Sequence, residues 1–168
     1  MAEKKVSGKQ FITEMCFGCG QDNPGGLHGE FYNLEEGKTV SFFRPGERFQ
    51  GYPQRLHGGI TASILDETLG RAILVLEPDC WAVTAELTIR YKKPVPLDVP
   101  LKVVAEVTDN NRRLFRSEGQ VVLPDGTVAA TATGVYMKQA LDKIADPDSL
   151  GAGKIKIEQA TDKAYIDC

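Results

Sequence analysis

At 168 residues, the chain is long enough for one domain with a real core and too short for two. Its 42% hydrophobic share, with no long apolar run, predicts a soluble globular protein without a membrane-spanning helix. A formal charge of −3 and no extended basic cluster argue against nucleic acid as the main partner.

The N-terminal stretch MAEKKVSGKQ is polar and no apolar core follows it, so it reads as a mobile tail rather than a signal peptide, and a cytoplasmic setting is expected. In that setting the four cysteines are expected as free thiols rather than as a disulfide framework. Cys16-Phe-Gly-Cys19-Gly-Gln-Asp-Asn-Pro-Gly-Gly26 is too rich in glycine for a regular element and must be loop or turns. Its Cys-x-x-Cys spacing suits zinc or a redox pair. Structural zinc needs four ligands, however, and His28, Cys80 and Cys168 supply no matching pair. A redox pair is expected beside a βαβ pattern, which is missing. The segment is therefore read as a structural loop, with no metal site.

Leu27–Asn33 and Thr39–Arg44 are strand candidates joined by Leu-Glu-Glu-Gly. From Pro45 to Arg55 the chain is irregular, and long loops inside compact domains are often functional. Phe42, Phe43, Phe49 and Tyr52, in and around this loop, are candidates to line a pocket for an aryl or aliphatic group.

His57-Gly58-Gly59 opens an apolar-periodic run: Ile60, Ile64, Leu65, Leu69, Ile73 and Leu76 recur at spacings of three and four. The spacing predicts an amphipathic helix to about Glu77, stopped by Pro78. The two glycines leave the first free N–H groups unshielded, so a carbonyl oxygen or an anion can approach. His57 is either a general base or the hydrogen bonder that fixes the Gly-Gly turn; with no second polar partner in view, the structural role is expected. Asp66 shares its face with Gly59, Ala62, Ser63 and Gly70, all small, so something large can lie against it. Glu67 has Arg71 four residues on, the usual spacing of a surface ion pair. A bare helix N-terminus plus a carboxylate on a small-residue face is what acyl-transfer chemistry needs.

Beyond the helix the period becomes two. In Trp81–Tyr91, residues Trp81, Val83, Ala85, Leu87, Ile89 and Tyr91 are expected on one face, and Ala82, Thr84, Glu86, Thr88 and Arg90 on the other. Leu101–Val107, Arg113–Leu123 and Thr127–Lys138 follow as three more strands, with turns at Asp-Asn-Asn and Pro-Asp-Gly. Arg112, Arg113 and Arg116 form a short basic group at a strand edge. The expected fold is α+β: an antiparallel sheet of about six strands curled around one long central helix, with its other face in need of a partner. From Gln139 onward the pattern is broken by Pro147, Gly151 and Gly153, and predicts no structure.

HGGITASILDE, the strand VTAELTIRYKKPVP and the ββαββββ order together resemble the hotdog-fold acyl-CoA thioesterases of the phenylacetate-pathway (PaaI-like) type, and CFGCGQDNPGGL resembles the segment that often leads into that domain. The resemblance covers residues 16–138, with residues 1–15 as a tail and 139–168 as an extension. It implies hydrolysis of an acyl-CoA thioester with no metal and no bound cofactor. By it, the amide of Gly58 or Gly59 in the His57 motif polarises the carbonyl, Asp66 acts as nucleophile or general base, and Thr84 helps to hold the water. It also implies a homodimer or homotetramer whose sites join two subunits. Several relatives carry an asparagine six residues before the motif's histidine; here that position is Gly51, and Gln50 beside it is the expected substitute. Gln50, Gly51, Glu67 and Arg90 are accordingly expected on the substrate side of the site. A non-catalytic acyl-CoA-binding domain is the alternative. A hydratase ranks last, because it needs an Asp–His pair on the helix segment.

Overall fold

The computed structural model describes residues 3–146 and 155–167. In chain order the strands are β1 (Glu3–Lys9), β2 (Glu30–Leu34), β3 (Thr39–Phe43), β4 (Ala82–Tyr91), β5 (Leu101–Asn110), β6 (Leu114–Val122), β7 (Val128–Lys138) and β8 (Tyr165–Asp167). Helix α1 (Gly58–Arg71) lies between β3 and β4, and the single turn α2 (Leu141–Ile144) follows β7. The strands form one antiparallel sheet in the order β4-β7-β6-β5-β3-β2-β1-β8. This is the expected sheet curled around one central helix.

Ile64, Leu65, Leu69 and Ile73 are essentially buried, in one apolar cluster with Leu101, Val103, Phe115 and Val121 of the sheet. Hydroxyl contacts fix the docking: Ser41 and Thr68 share a 2.6 Å hydrogen bond, and Ser117 donates to the Leu69 carbonyl at 2.9 Å. Among the described residues, no buried side-chain nitrogen or oxygen lacks a partner. The α-helical winding ends at Arg71, earlier than the periodicity predicts, and tightens into a 3₁₀ turn over Ala72–Val75 before Pro78.

The sheet has eight strands where about six were expected. The two additional strands come from the stretch expected as a mobile tail and from the stretch left without predicted structure. Glu3–Lys9 pairs with β2, and Tyr165–Asp167 pairs with Glu3–Lys5. Val6 and Ile166 thereby join Tyr32, Leu34 and Val40 in a second apolar cluster on the outer face of the sheet. Neither strand is visible in local sequence, because each forms only by pairing with a distant segment, β1 with β2 and β8 with β1 from the opposite end of the chain. Residues 147–154 and Cys168 lie outside the described residues.

Strict alternation along β4 is corrected by the structure. Thr84 pairs with Tyr136 and Glu86 with Val135, so Ala85 is an extra residue, a β-bulge. The bulge swaps the faces. Thr84 before it and Leu87, Ile89 and Tyr91 after it all meet the helix side: Thr84 and Tyr91 hydrogen-bond to α1, and Leu87 and Ile89 pack on the core. Thr88 and Arg90 point to the opposite face, where they share a groove with Glu118, Gln120, Thr131 and Thr133. No helix among the described residues is long and apolar enough to cross a membrane.

Candidate active site

The first turn of α1 begins at His57, the N-cap, whose Nδ1 accepts from the Gly59 amide at 2.9 Å. One of the free N–H groups of the helix start is thus used by the chain itself. Gly59 must stay small for this contact, since a Cβ there would lie 3.0 Å from His57 Nδ1. The Gly58 amide donates to no acceptor among the described residues, and a Cβ at Gly58 would make only ordinary contact with Tyr91. Tyr91 donates through Oη to the Gly58 carbonyl at 2.8 Å and so braces the exposed first turn.

Asp66, half-buried two turns further along, is held by two hydroxyls. Thr84 Oγ1 donates to Asp66 Oδ1 at 2.9 Å, and Tyr136 Oη lies 3.1 Å from the same oxygen. Tyr136 is 2% exposed and stacked on Phe115, with ring centroids 5.0 Å apart. Burial and the adjacent Asp66 carboxylate push its phenol upward, so it stays a protonated donor. Two glycines make room for it. A Cβ at Gly70 would lie 3.1 Å from the Tyr136 ring, and one at Gly134 would lie 2.5 Å from it. Sequence reasoning missed Tyr136. Its only signal is the strand register that sets it opposite Thr84, and a single sequence does not give register.

Asp66 borders a cavity of about 280 Å³. Its apolar walls include Phe11, Leu74, Trp81 and Ile144, with Phe11 and Trp81 rings 5.4 Å apart. Of the aromatics expected to line a pocket, none reaches this one. Phe43 packs on Phe31 in the core, Phe42 on Tyr32 on the outer face, Phe49 on Phe17, and Tyr52 is exposed.

The polar wall of the cavity is built on Arg71. Its Nε donates to Glu67 Oε1 at 2.8 Å, one terminal nitrogen to the Phe11 carbonyl at 2.8 Å, and the other to Cys19 Sγ at 2.9 Å. Glu67, expected on a surface ion pair, is therefore paired at a partly buried site. Cys16, Cys19 and Glu67 bring their ligand atoms within 4.8 Å of one another, but the Arg71 guanidinium already supplies the cation between Cys19 and Glu67. The Cys16 thiol is lowered to about 6, chiefly by a hydrogen bond from the Cys19 thiol and against the effects of burial and Glu67.

The remaining expected positions lie outside the Asp66 cavity, Gln50 and Gly51 beside the start of α1. Gln50 Oε1 accepts from the Gln54 amide at 2.9 Å, holding its own loop, and Gly51 packs against His57. Arg90 is on the far face of the sheet, where the bulge has sent it.

Residues 54–130 match the thioesterase superfamily. The chain is 37% identical over 109 residues to the mouse (Mus musculus) acyl-coenzyme A thioesterase THEM4, covering 64% of this chain and 46% of that protein. It spans about half the length of the curated relatives it matches. Among solved structures, it is similar to a thioesterase superfamily protein at 27% identity and a TM-score of 0.63, covering 69% of this chain and 56% of that one. It also shares the fold of the E. coli PaaI protein from the phenylacetic acid degradation operon, at 19% identity and a TM-score of 0.62, covering 68% of this chain and 81% of that one.

Proposed function

We propose that this chain is a member of the thioesterase superfamily, whose family model residues 54–130 match, and that it hydrolyses an acyl-CoA thioester to a free acid and coenzyme A. The observation that carries the reading is Asp66, half-buried on the central helix at the edge of a cavity and held through one oxygen by two hydroxyls. Thr84 and Tyr136 orient the carboxylate through Oδ1, which leaves Oδ2 to accept a proton from water as the water attacks the thioester carbon. Attack by Asp66 itself, through a transient anhydride, uses the same orientation. The Gly58 amide is the donor for the developing oxyanion, since the Gly59 amide is taken by His57. Water, a carboxylate and an amide suffice for this reaction, so it needs no metal or cofactor.

Gly58 and Asp66 of one chain do not form one site. Eight residues of helix separate them by about 12 Å along the axis, too far for both to touch one carbonyl group. The separation supports a site shared between two copies, with the Gly58 of one chain and the Asp66 of the other. The outer edge of β4, ten residues long and unpaired among the described residues, supports the same reading, because a long free edge invites pairing. A homodimer or a homotetramer follows.

The test is thiol release over a panel of short, medium, long and aryl acyl-CoAs. Asp66→Asn is expected to lower kcat by about a hundredfold or more while leaving the fold intact. Binding without turnover across the panel would replace this reading with that of an acyl-CoA-binding domain.

A further inference from the structure

The cysteine loop beside the cavity has features that a purely structural loop does not need. Cys16 and Cys19 share a tight turn: the Gly20 amide bonds the Cys16 carbonyl at 2.9 Å, and the Cys19 amide lies 3.5 Å from Cys16 Sγ. Their sulfurs are within 4.8 Å of each other and neither is in a disulfide. The two are unequal. Cys16 is partly exposed and borders the cavity, whereas Cys19 is fully buried and accepts from the guanidinium of Arg71 at 2.9 Å.

We propose that Cys16 and Cys19 are a dithiol–disulfide site beside the candidate catalytic cleft, exchanging with low-molecular-weight disulfides, with Cys16 as the attacking thiol and Cys19 as the resolving one. In the first step the Cys16 thiolate attacks one sulfur of the small disulfide, forms a mixed disulfide and releases one thiolate. In the second, Cys19 gives up its proton to that thiolate and attacks Cys16 Sγ. The S–S bond of the mixed disulfide breaks, the second small thiol leaves, and the Cys16–Cys19 bond forms. The small disulfide is reduced by two electrons to one thiol, which carries the Cys19 proton, and one thiolate, which takes up from water the proton that Cys16 had released, while the protein dithiol is oxidised to the disulfide.

Access and charge assign the roles. Of the pair, only Cys16 borders the cavity, which Cys80 also lines, so an incoming disulfide meets Cys16 before Cys19. Arg71, positive and adjacent to Cys19, stabilises the resolving sulfur as it becomes a thiolate. A disulfide closing so short a loop restricts the unfolded chain little, since that stabilisation grows with loop length. The pair therefore suits exchange better than stapling. Arg71 also holds Glu67, the neighbour of Asp66, so the cysteine loop is tied to the wall of the cleft.

The experiment incubates the reduced full-length chain with oxidised glutathione, quenches with acid, alkylates, and maps the cysteine peptides by mass spectrometry. The wild type is expected to yield an intramolecular Cys16–Cys19 disulfide. Cys19→Ser is expected to accumulate the glutathione mixed disulfide on Cys16, and Cys16→Ser to leave Cys19 unreacted. Cys16 should react about tenfold or more faster than Cys80 at neutral pH. A mixed disulfide that persists on Cys16 in the wild type, modification of Cys80 or Cys168 alone, or stoichiometric metal on the pair in the isolated protein would each overturn the proposal. Turnover is not the readout, so the result stands apart from the thioesterase assay.

Discussion

Thr84 and Tyr136 sit directly opposite each other on β4 and β7, and their hydroxyls converge on the same oxygen of Asp66, at 2.9 and 3.1 Å. The carboxylate is thereby fixed from the sheet side, although it belongs to the helix. A strand pair sets its orientation, and the bulge at Ala85 lets Thr84 take part without turning Leu87 and Ile89 away from the core.

The two hydroxyls can be separated by mutation. Tyr136→Phe keeps the stack on Phe115 and removes one donor to the carboxylate. A hydrogen bond to a charged group contributes about 1.5–3 kcal/mol, so its loss is expected to lower the unfolding temperature and, by roughly tenfold to a hundredfold, kcat. Thr84→Val should act in the same direction. The double variant is expected to lose less than the product of the two single losses, because both donors serve one oxygen. Steady-state kinetics on all three proteins check this, and strictly multiplicative losses would mean that the two hydroxyls act independently.

Gly134 is a packing requirement of the site. A methyl group there meets the Tyr136 ring at 2.5 Å and its Oη at 2.8 Å, so Gly134→Ala must displace the ring. Overpacking of this kind costs about 1–3 kcal/mol, measurable as a lower urea midpoint. Combining Gly134→Ala with Tyr136→Leu should recover stability but not activity. Recovery of both would remove Tyr136 from the machinery.

A composite site has a sharp kinetic signature. Gly58 is the first helical residue, where proline is accepted, and the extended His57 before it suits a following proline (φ −61°, ψ 136°). Gly58→Pro therefore deletes the amide donor while preserving the helix, and is expected to lower kcat by about 10²–10³-fold. When Gly58→Pro and Asp66→Asn chains are mixed and allowed to exchange, half of the dimers are hybrids with one intact site, and about a quarter of wild-type activity should return. No recovery, with hybrids present by mass spectrometry, would place each site within one chain.

The Cys16 thiol also makes a prediction in pH. It is lowered to about 6, so the thiolate is present above that pH and is lost as the pH falls through it. Alkylation of Cys16 by iodoacetamide should rise between pH 5 and 7 and then level off. Cys80, pushed upward by burial and by Glu77, should still be gaining rate above pH 9. Peptide-resolved alkylation rates test both, and a Cys16 profile still climbing above pH 8 would contradict the lowered value.

Sequence alone determined the central features of this protein. The three-and-four spacing from Ile60 to Ile73 specified the helix, because burying one face of a helix demands that period. The alternating runs after Trp81 specified strands, and HGGITASILDE carried the family resemblance that residues 54–130 then matched. Asp66 was legible as a candidate because an acid on a face of small residues is a local pattern. What surrounds it was not. Tyr136 reaches Asp66 from seventy positions away, and Arg71 meets Cys19 across fifty-two. Each contact depends on strand register or on the path of a loop, neither of which a local period encodes. The same holds for Glu3–Lys9, too polar to announce itself, and Tyr165–Asp167, too short to do so, which become strands only by pairing, the first with β2 and the two with each other. Arg90 was misplaced for a related reason. One extra residue in a strand reverses the face of all that follow, and only the pairing of β4 with β7 reveals that residue.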